Sequence, residues 1–380
     1  MSKGKIAVLG CGMVGGFIAR TLAQQGFHVT AADADGEPLA RLMNTKGITI
    51  KRADLSDARE VTNLASHSDL IIGALPGKLG FKSLETVIRA GKNTVDISFF
   101  PEDPFELDSL AKEHGVTAVV DCGVMPGLGG MAAARFAASM DRCDEISILV
   151  GGLPEDRSGK TEYKAPFSPS DVIEEYKRPA RLRVNGKAVT RPALSEIETV
   201  EFPGVGTLEA FNTDGLRTLL RTMDCPDMRE KTLRYPGHAD KMKLLCELGF
   251  FSAEPVQTTN GKAIPLEVTS ALLSREWKLR PGEPEFTAMH VNVKGVRGQT
   301  SACAEMRLLE RMDKSTGDSS MARTTGLPAV AAALLIAEGK LKAAGIVPPE
   351  ELGKDAEIFA AILRFLRESG ISPEFSGIDL

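Results

Sequence analysis

Ile6-Ala7-Val8-Leu9-Gly10-Cys11-Gly12-Met13-Val14-Gly15 decides the fold, together with the helix-forming residues 17–25, a second apolar run at 28–32, and Asp33. The order is strand, glycine turn, helix, strand, acid. The acid stands about 20 residues beyond the first glycine, as a dinucleotide-binding βαβ unit requires. Gly10 permits the tight turn, Gly12 lets the backbone approach a pyrophosphate, and Gly15 lets helix and strand pack closely. The helix start at Met13 and Val14 offers N–H groups and a positive dipole end to phosphates. Asp33 can accept both ribose hydroxyls of NAD and would repel the 2′-phosphate of NADP, so NAD is expected over NADP.

Outward from this unit the same alternation continues. Strand-like runs at 48–52, 69–74, 94–97 and 116–121 are separated by helical stretches at 58–65, 79–90 and 105–113. Short apolar strands between helices predict an α/β fold with a Rossmann-type doubly wound parallel sheet. The pattern changes after Asp121. Residues 127–140 read as a small-residue helix, and strand-like runs at 146–150, 181–184 and 286–293 follow among Pro- and Gly-rich loops. Helical patches at 214–223 and 239–248 complete an α+β reading of this part, and 321–338 and 356–368 read as helices returning to the first domain. The expected division is a discontinuous dinucleotide domain, 1–123 plus 321–380, with an inserted α+β substrate and dimerisation domain at 124–320.

Composition narrows the class. The 380 residues are 43% hydrophobic and 26% charged with a net charge of −5, which supplies no electrostatic footprint for nucleic acid or an anionic membrane. The longest apolar segment, 327–337, reads as a buried helix, so a cytoplasmic protein is expected. Six cysteines without CxxC spacing and five histidines without ligand spacing give no metal site.

Ligands of such sheets bind beyond the carboxyl ends of the strands. Asp54, Leu75-Pro76, Asp96 and Asp121-Cys122-Gly123-Val124-Met125-Pro126-Gly127 occupy those ends. Asp54 is placed to reach the adenine, and Leu75, Pro76, Gly123 and Pro126 to lie against the nicotinamide. Asp96 and Asp121 are the acid–base candidates here, Asp96 also a candidate for the nicotinamide ribose, and Cys122 can touch substrate. In the second domain Arg234 can clamp a carboxylate, Asp214 or Glu209 can balance an ammonium, and His238 can carry a proton. Tyr163 and Asn212 can orient polar groups. Singly, Asn212 and His238 read equally well as helix caps.

Together with the glycine turn, the segments Val95-Asp96-Ile97, Asp121 to Gly127, Val150-Gly151-Gly152-Leu153-Pro154, Leu208-Glu209-Ala210-Phe211 and Thr232-Leu233-Arg234-Tyr235-Pro236-Gly237-His238 carry a resemblance. The chain resembles the saccharopine dehydrogenase-like oxidoreductases over nearly its whole length, and most closely their lysine 6-dehydrogenase branch. The resemblance implies hydride transfer through an imine. In the lysine branch this is NAD-dependent oxidation of the side-chain amine of L-lysine, with His238, Asp96 or Asp121 as base and Arg234 on the α-carboxylate. The saccharopine branch is the alternative, supported by Leu244-Leu245-Cys246-Glu247-Leu248-Gly249-Phe250. Thr213 and Gly215 depart from its pattern, standing where an Arg and a Ser are expected. A non-catalytic NAD-binding protein is the reading from another class. A small amino-acid substrate and a homodimer are the expected partners.

Overall fold

A computed structural model describes residues 3–165, 169–280 and 282–378. The chain opens with β1 (Lys5–Leu9), α1 (Met13–Gln24), β2 (His28–Asp33), α2 (Gly36–Ala40), β3 (Ile48–Arg52) and α3 (Ala58–Ser66). It continues with β4 (Leu70–Gly73), α4 (Gly77–Arg89), β5 (Asn93–Asp96), α5 (Asp108–Glu113) and β6 (Thr117–Val119). The strands pair in parallel in the order β6-β5-β4-β1-β2-β3. All four residues of β4, and Ile6 to Leu9 of β1, are buried, as strands covered on both faces must be. The order reverses between β1 and β4, which places the loops after these two strands at the point where doubly wound sheets hold ligands.

From α6 (Leu128–Ala138) the chain enters β7 (Arg142–Pro154), α7 (Pro169–Lys177), β8 (Ala180–Val184), β9 (Lys187–Arg191), β10 (Glu198–Phe202) and β11 (Gly206–Asn212). There follow α8 (Leu219–Thr222), β12 (Asp227–Arg234), α9 (His238–Glu247), the hairpin β13 (Val256–Thr258) and β14 (Gly261–Ala263), α10 (Pro265–Trp277), β15 (Glu285–Arg297) and β16 (Thr300–Arg311). The last elements are α11 (Ser320–Ala337), β17 (Gly345–Val347), α12 (Pro349–Lys354), α13 (Ala356–Glu368) and β18 (Glu374–Ser376). β17 adds a seventh parallel strand beside β6. The second sheet runs β10-β11-β12-β7-β15-β16-β18, with β12 and β7 parallel and its other pairs antiparallel.

The chain divides into two compact units. One ends at Arg135 and resumes over Met321–Ser372; the other holds Phe136–Ser320 and the strand β18. The division thus falls inside α6 rather than at 123. The cause is visible in the first unit, where a Cβ on Gly353 would lie 2.0 Å from the Met131 carbonyl oxygen, so α6 and α12 touch through backbone. β18 is held by its ladder to β16, which is why residues beyond 372 leave the first unit. Two further elements, α8 and β16, differ from expectation. The helix expected at 214–223 shortens to α8, because side chains seize Asp214 and Gly215 and Arg217 takes a φ of +49°. β16 is a twelve-residue strand outside the expectation, although Ala304-Glu305-Met306-Arg307-Leu308 alternates and its positions 304, 306 and 308 are the buried ones. α11 is the buried helix that was expected: its length and composition would suit a membrane span, but 78% of it is buried within the protein.

Candidate functional site

The glycine turn of the first unit is built to receive an anion. Gly10 has a φ of +91°, where an L side chain is strained, and a Cβ there would lie 2.3 Å from the Ala74 carbonyl oxygen. A Cβ on Gly15 would lie 1.9 Å from the Gly10 carbonyl oxygen, so α1 can start where it does only with glycine at that position. Gly12 differs: nothing lies within 4 Å of a Cβ placed on it. That open space adjoins the start of α1, at Met13 and Val14, which no side chain caps. Two glycines hold the turn closed and the third leaves room, and these residues fit the pyrophosphate of a dinucleotide.

Asp33 ends β2 with both oxygens engaged. Oδ2 accepts the Cys11 N–H at 2.7 Å and Oδ1 accepts the Asp35 N–H at 2.9 Å, so this acid also ties the glycine turn to the second strand. Its register partner on β3 is Arg52, whose exposed guanidinium donates through Nε to the Ala34 carbonyl at 3.0 Å. The sequence reading passed over Arg52 because β3 lies beyond the motif's span. It had Arg41 as the nearest cation, and Arg41 is paired to Glu37 at 2.7 Å. Asp54 accepts both the N–H and the hydroxyl of Ser56, which hold its carboxyl below the usual range.

The next strand ends turn inward. The Leu75 N–H donates to the Ser98 hydroxyl at 3.2 Å, and Pro76 precedes the first residue of α4. Asp96 is 2% exposed and accepts the Ser98 N–H at 2.7 Å, while Asp121 is 1% exposed with a φ of +51°. Asp96 thus holds its own loop through the Ser98 N–H, and both carboxylates are buried just past the ends of their strands. Cys122 is fully buried, and burial, then Asp121 and Asp96, push its thiol well above the usual range. It is a packing residue. Beyond it, the Gly123 N–H donates to the Pro126 carbonyl at 3.1 Å and closes the loop.

In the second unit a buried polar cluster surrounds Arg234, the last residue of β12. Its Cζ lies 4.4 Å over the Tyr163 ring and 5.9 Å from that of Tyr176. Nε donates to the Tyr176 hydroxyl at 3.2 Å and Nη1 to the Leu233 carbonyl at 2.9 Å. Nη2 reaches the Tyr163 hydroxyl and Glu175 Oε2 only at 3.4 Å each. Burial works against the charge of Arg234, but the oxygens of Tyr163, Tyr176 and Glu175 outweigh it and keep the guanidinium protonated. Glu175 responds in the other direction: burial lifts its carboxyl to about 7 although Arg234 pulls it down.

His238 belongs to this cluster, but not as a base. Nδ1 lies 3.0 Å from the Thr161 carbonyl and Nε2 2.9 Å from the Tyr176 hydroxyl. Since Tyr176 accepts from Arg234, its own proton goes to Nε2, which assigns the histidine proton to Nδ1. Burial, then Arg234, push His238 down to about 3, so the ring is neutral at physiological pH and both nitrogens are occupied. Nor does it act as the cap of α9. Glu209 does, accepting the Gly237 N–H at 2.8 Å and the Ala239 N–H at 2.6 Å.

Asn212 and Asp214 lie apart from Arg234. In the β11–β12 ladder Glu209 faces Arg234 and Asn212 faces Lys231, about 10 Å farther along at strand rise. Asn212 pins the Ser195 hydroxyl at 3.0 Å, and Asp214 takes Arg181 in two contacts of 2.8 Å. Thr213 and Gly215, the two departures from the expected pattern, both bind Glu230: its Oε2 accepts from the Thr213 hydroxyl at 2.8 Å and the Gly215 N–H at 3.0 Å. A Cβ on residue 215 would lie 2.5 Å from that carboxylate, so only glycine fits. Burial raises Glu230 to about 8. The sequence reading missed Glu175 and Tyr176. Aromatic scarcity was the available signal: the chain has three tyrosines and one tryptophan, and Tyr163, Tyr176 and Trp277 pack together here. Among the described residues no three His, Cys, Asp or Glu side chains gather to hold a metal.

Comparison with known proteins agrees with this architecture. Residues 6–119 match the saccharopine dehydrogenase NADP binding domain and residues 122–371 the saccharopine dehydrogenase C-terminal domain. The chain is 24% identical to the alpha-aminoadipic semialdehyde synthase of Arabidopsis thaliana over 97% of its own length and 44% of that protein's. It therefore spans less than half of that relative. It is 25% identical to the NADP(+), L-glutamate-forming saccharopine dehydrogenase of Pyricularia oryzae over 67% of this chain and 59% of that one. It is 22% identical to the carboxynorspermidine synthase of Vibrio cholerae over 82% and 80%. The apo saccharopine dehydrogenase (L-Glu forming) of Saccharomyces cerevisiae superposes with a TM-score of 0.78 at 17% identity, covering 99% of this chain and all of that one. These relatives are named for aminoadipic semialdehyde, saccharopine and carboxynorspermidine, not for lysine 6-dehydrogenation. With a nicotinamide-cofactor domain and a C-terminal domain both matched, the chain belongs to the saccharopine dehydrogenase family.

Proposed function

We propose that this protein is a nicotinamide-dependent oxidoreductase acting on the C–N bond of an amino-acid-derived secondary amine of the saccharopine type. One observation carries the reading: a fully buried guanidinium, Arg234, whose nearest carboxylate stays 3.4 Å away. A charge-assisted bond settles at about 2.7–2.9 Å, so Arg234 has capacity for a better-placed anion, and a substrate carboxylate is that anion. The bound nicotinamide supplies the hydride acceptor or donor. The protein's residues hold it through the turn at Gly10, Gly12 and Gly15 and through Asp33 at the ribose end. Oxidation of the side-chain amine of L-lysine is the second reading, favoured by Asp33.

For the cofactor, the names of relatives point to NADP, whereas Asp33 opposes a 2′-phosphate and Arg52 beside it attracts one. We take NAD to bind on Asp33 and NADP to bind as far as Arg52 compensates. Accordingly Asp33→Ala raises affinity for NADPH relative to NADH, and Arg52→Ala lowers it, as read by nicotinamide fluorescence titration. Unchanged ratios in both variants reject the assignment.

Reduced nicotinamide formation from L-saccharopine and from L-lysine, each with NAD and NADP, tests the function. Turnover with saccharopine supports the main reading, and turnover with lysine alone replaces it with the second. Cofactor binding without turnover of either amine favours a non-catalytic binding protein.

A further inference from the structure

Of the acids in the core of the second unit, Glu209, Asp214, Glu230 and Glu285 are spoken for, Glu285 by the Ser320 hydroxyl at 2.6 Å. Glu209 gives both oxygens to the N–H groups at the start of α9, Asp214 gives both to Arg181, and Glu230 is held by Thr213 and Gly215. Glu175 is more loosely engaged than these, at 3.4 Å from Arg234 Nη2. It is also the more open member of its pair: its side chain is 20% exposed against 3% for Arg234, so the pair meets solvent on the Glu175 side. An acid and a guanidinium that share one approach and do not consume each other match an amine one carbon removed from a carboxylate.

We infer that Arg234 and Glu175 form a headgroup subsite for an α-amino acid, Arg234 binding the carboxylate and Glu175 accepting a hydrogen bond from the adjacent amine. This rests on the reading above that Arg234 takes a substrate carboxylate, and it adds that the amine bound first is the α-amine. In an opine-type substrate that nitrogen is the one whose bond is made or broken. In free L-lysine it is remote from the side-chain amine. Tyr163 and Tyr176 keep the guanidinium in place, and Asp171 and Arg178 are the other charged groups acting on Glu175.

The test is calorimetric and needs no turnover. L-glutamate is compared with glutarate, and L-lysine with 6-aminohexanoate, each pair differing in the α-amine, on the wild type and on Glu175→Gln. The wild type is expected to prefer the amine-bearing member of a pair. Glu175→Gln is expected to lose about tenfold or more of that preference while its affinity for the deamino ligand holds or rises. Equal loss for both members of a pair, or no loss for either, overturns the Glu175 assignment and leaves the Arg234 reading standing. Binding of none of the four to the wild type removes both. Should Glu175→Gln melt early, Glu175→Asp is decisive: it keeps a reduced amine preference if the carboxylate reads the amine, and identical weakening for both members refutes the subsite.

Discussion

At the scale of single residues, burial decides which chemistry each group can perform. His238 would be a neutral-pH proton carrier in water, yet desolvation and Arg234 hold it near 3. Its pKa is depressed on folding, so the unfolded chain binds more protons between about 3 and 6.5, and stability falls as pH drops through that window. His238→Gln should therefore flatten the acid side of the stability profile, by at most about 1.4 kcal/mol for each pH unit below 6.5. Urea denaturation of both proteins at pH 5 and pH 7 checks this; parallel profiles would mean that His238 is not protonated on unfolding. Arg234 carries structural weight as well as binding. Arg234→Ala leaves Glu175 without its cation and should cost about 3 kcal/mol or more of stability, besides weakening substrate. A denaturation midpoint equal to wild type would show that Arg234 serves the ligand alone.

At the scale of the element, the glycine turn separates fold from function. Gly15 and Gly12 lie three residues apart, but only Gly15 abuts backbone. Gly15→Ala must push α1 off β1 and should lower the melting temperature. Gly12→Ala extends into open space, so stability should stay within about 0.5 kcal/mol while NADH affinity falls, because the methyl occupies the approach to the phosphates. If both variants lose stability alike, or Gly12→Ala keeps full affinity, the distinction between the two glycines is wrong. The same logic explains α8: where a helix was expected, Asp214, Gly215 and Arg217 adopt a side-chain-tethered turn, because buried acids and guanidiniums need partners more than the segment needs helical hydrogen bonds.

At the scale of the whole molecule, the C-terminal segment serves both units. β17 extends the first sheet and β18 pairs with β16 in the second. Ending the chain after residue 372 removes β18 only and should leave NADH affinity at the wild-type value while the second unit loses stability. Ending it after residue 344 also strips β17, α12 and α13, and should abolish cofactor binding. Fluorescence titration of the two truncations checks the pair, and loss of NADH binding in the shorter deletion would refute this division.

The cofactor unit was legible because its signals are local: Gly10 to Gly15, α1 and Asp33 fall within one βαβ span, and Gly15 answers a contact with Gly10 inside it. The α+β character of the second unit was legible for a similar reason, since apolar strands such as β7 and β15 announce themselves. Its chemistry was not. Arg234 is set by Glu175, Tyr176 and Tyr163, which precede it by 59, 58 and 71 residues. The sequence could nominate Arg234 and His238 by residue type, and only the tertiary structure could desolvate them. Desolvation renders His238 neutral, the oxygens of Tyr163, Tyr176 and Glu175 keep Arg234 charged against it, and Glu175, which no motif marks, is the acid beside the guanidinium.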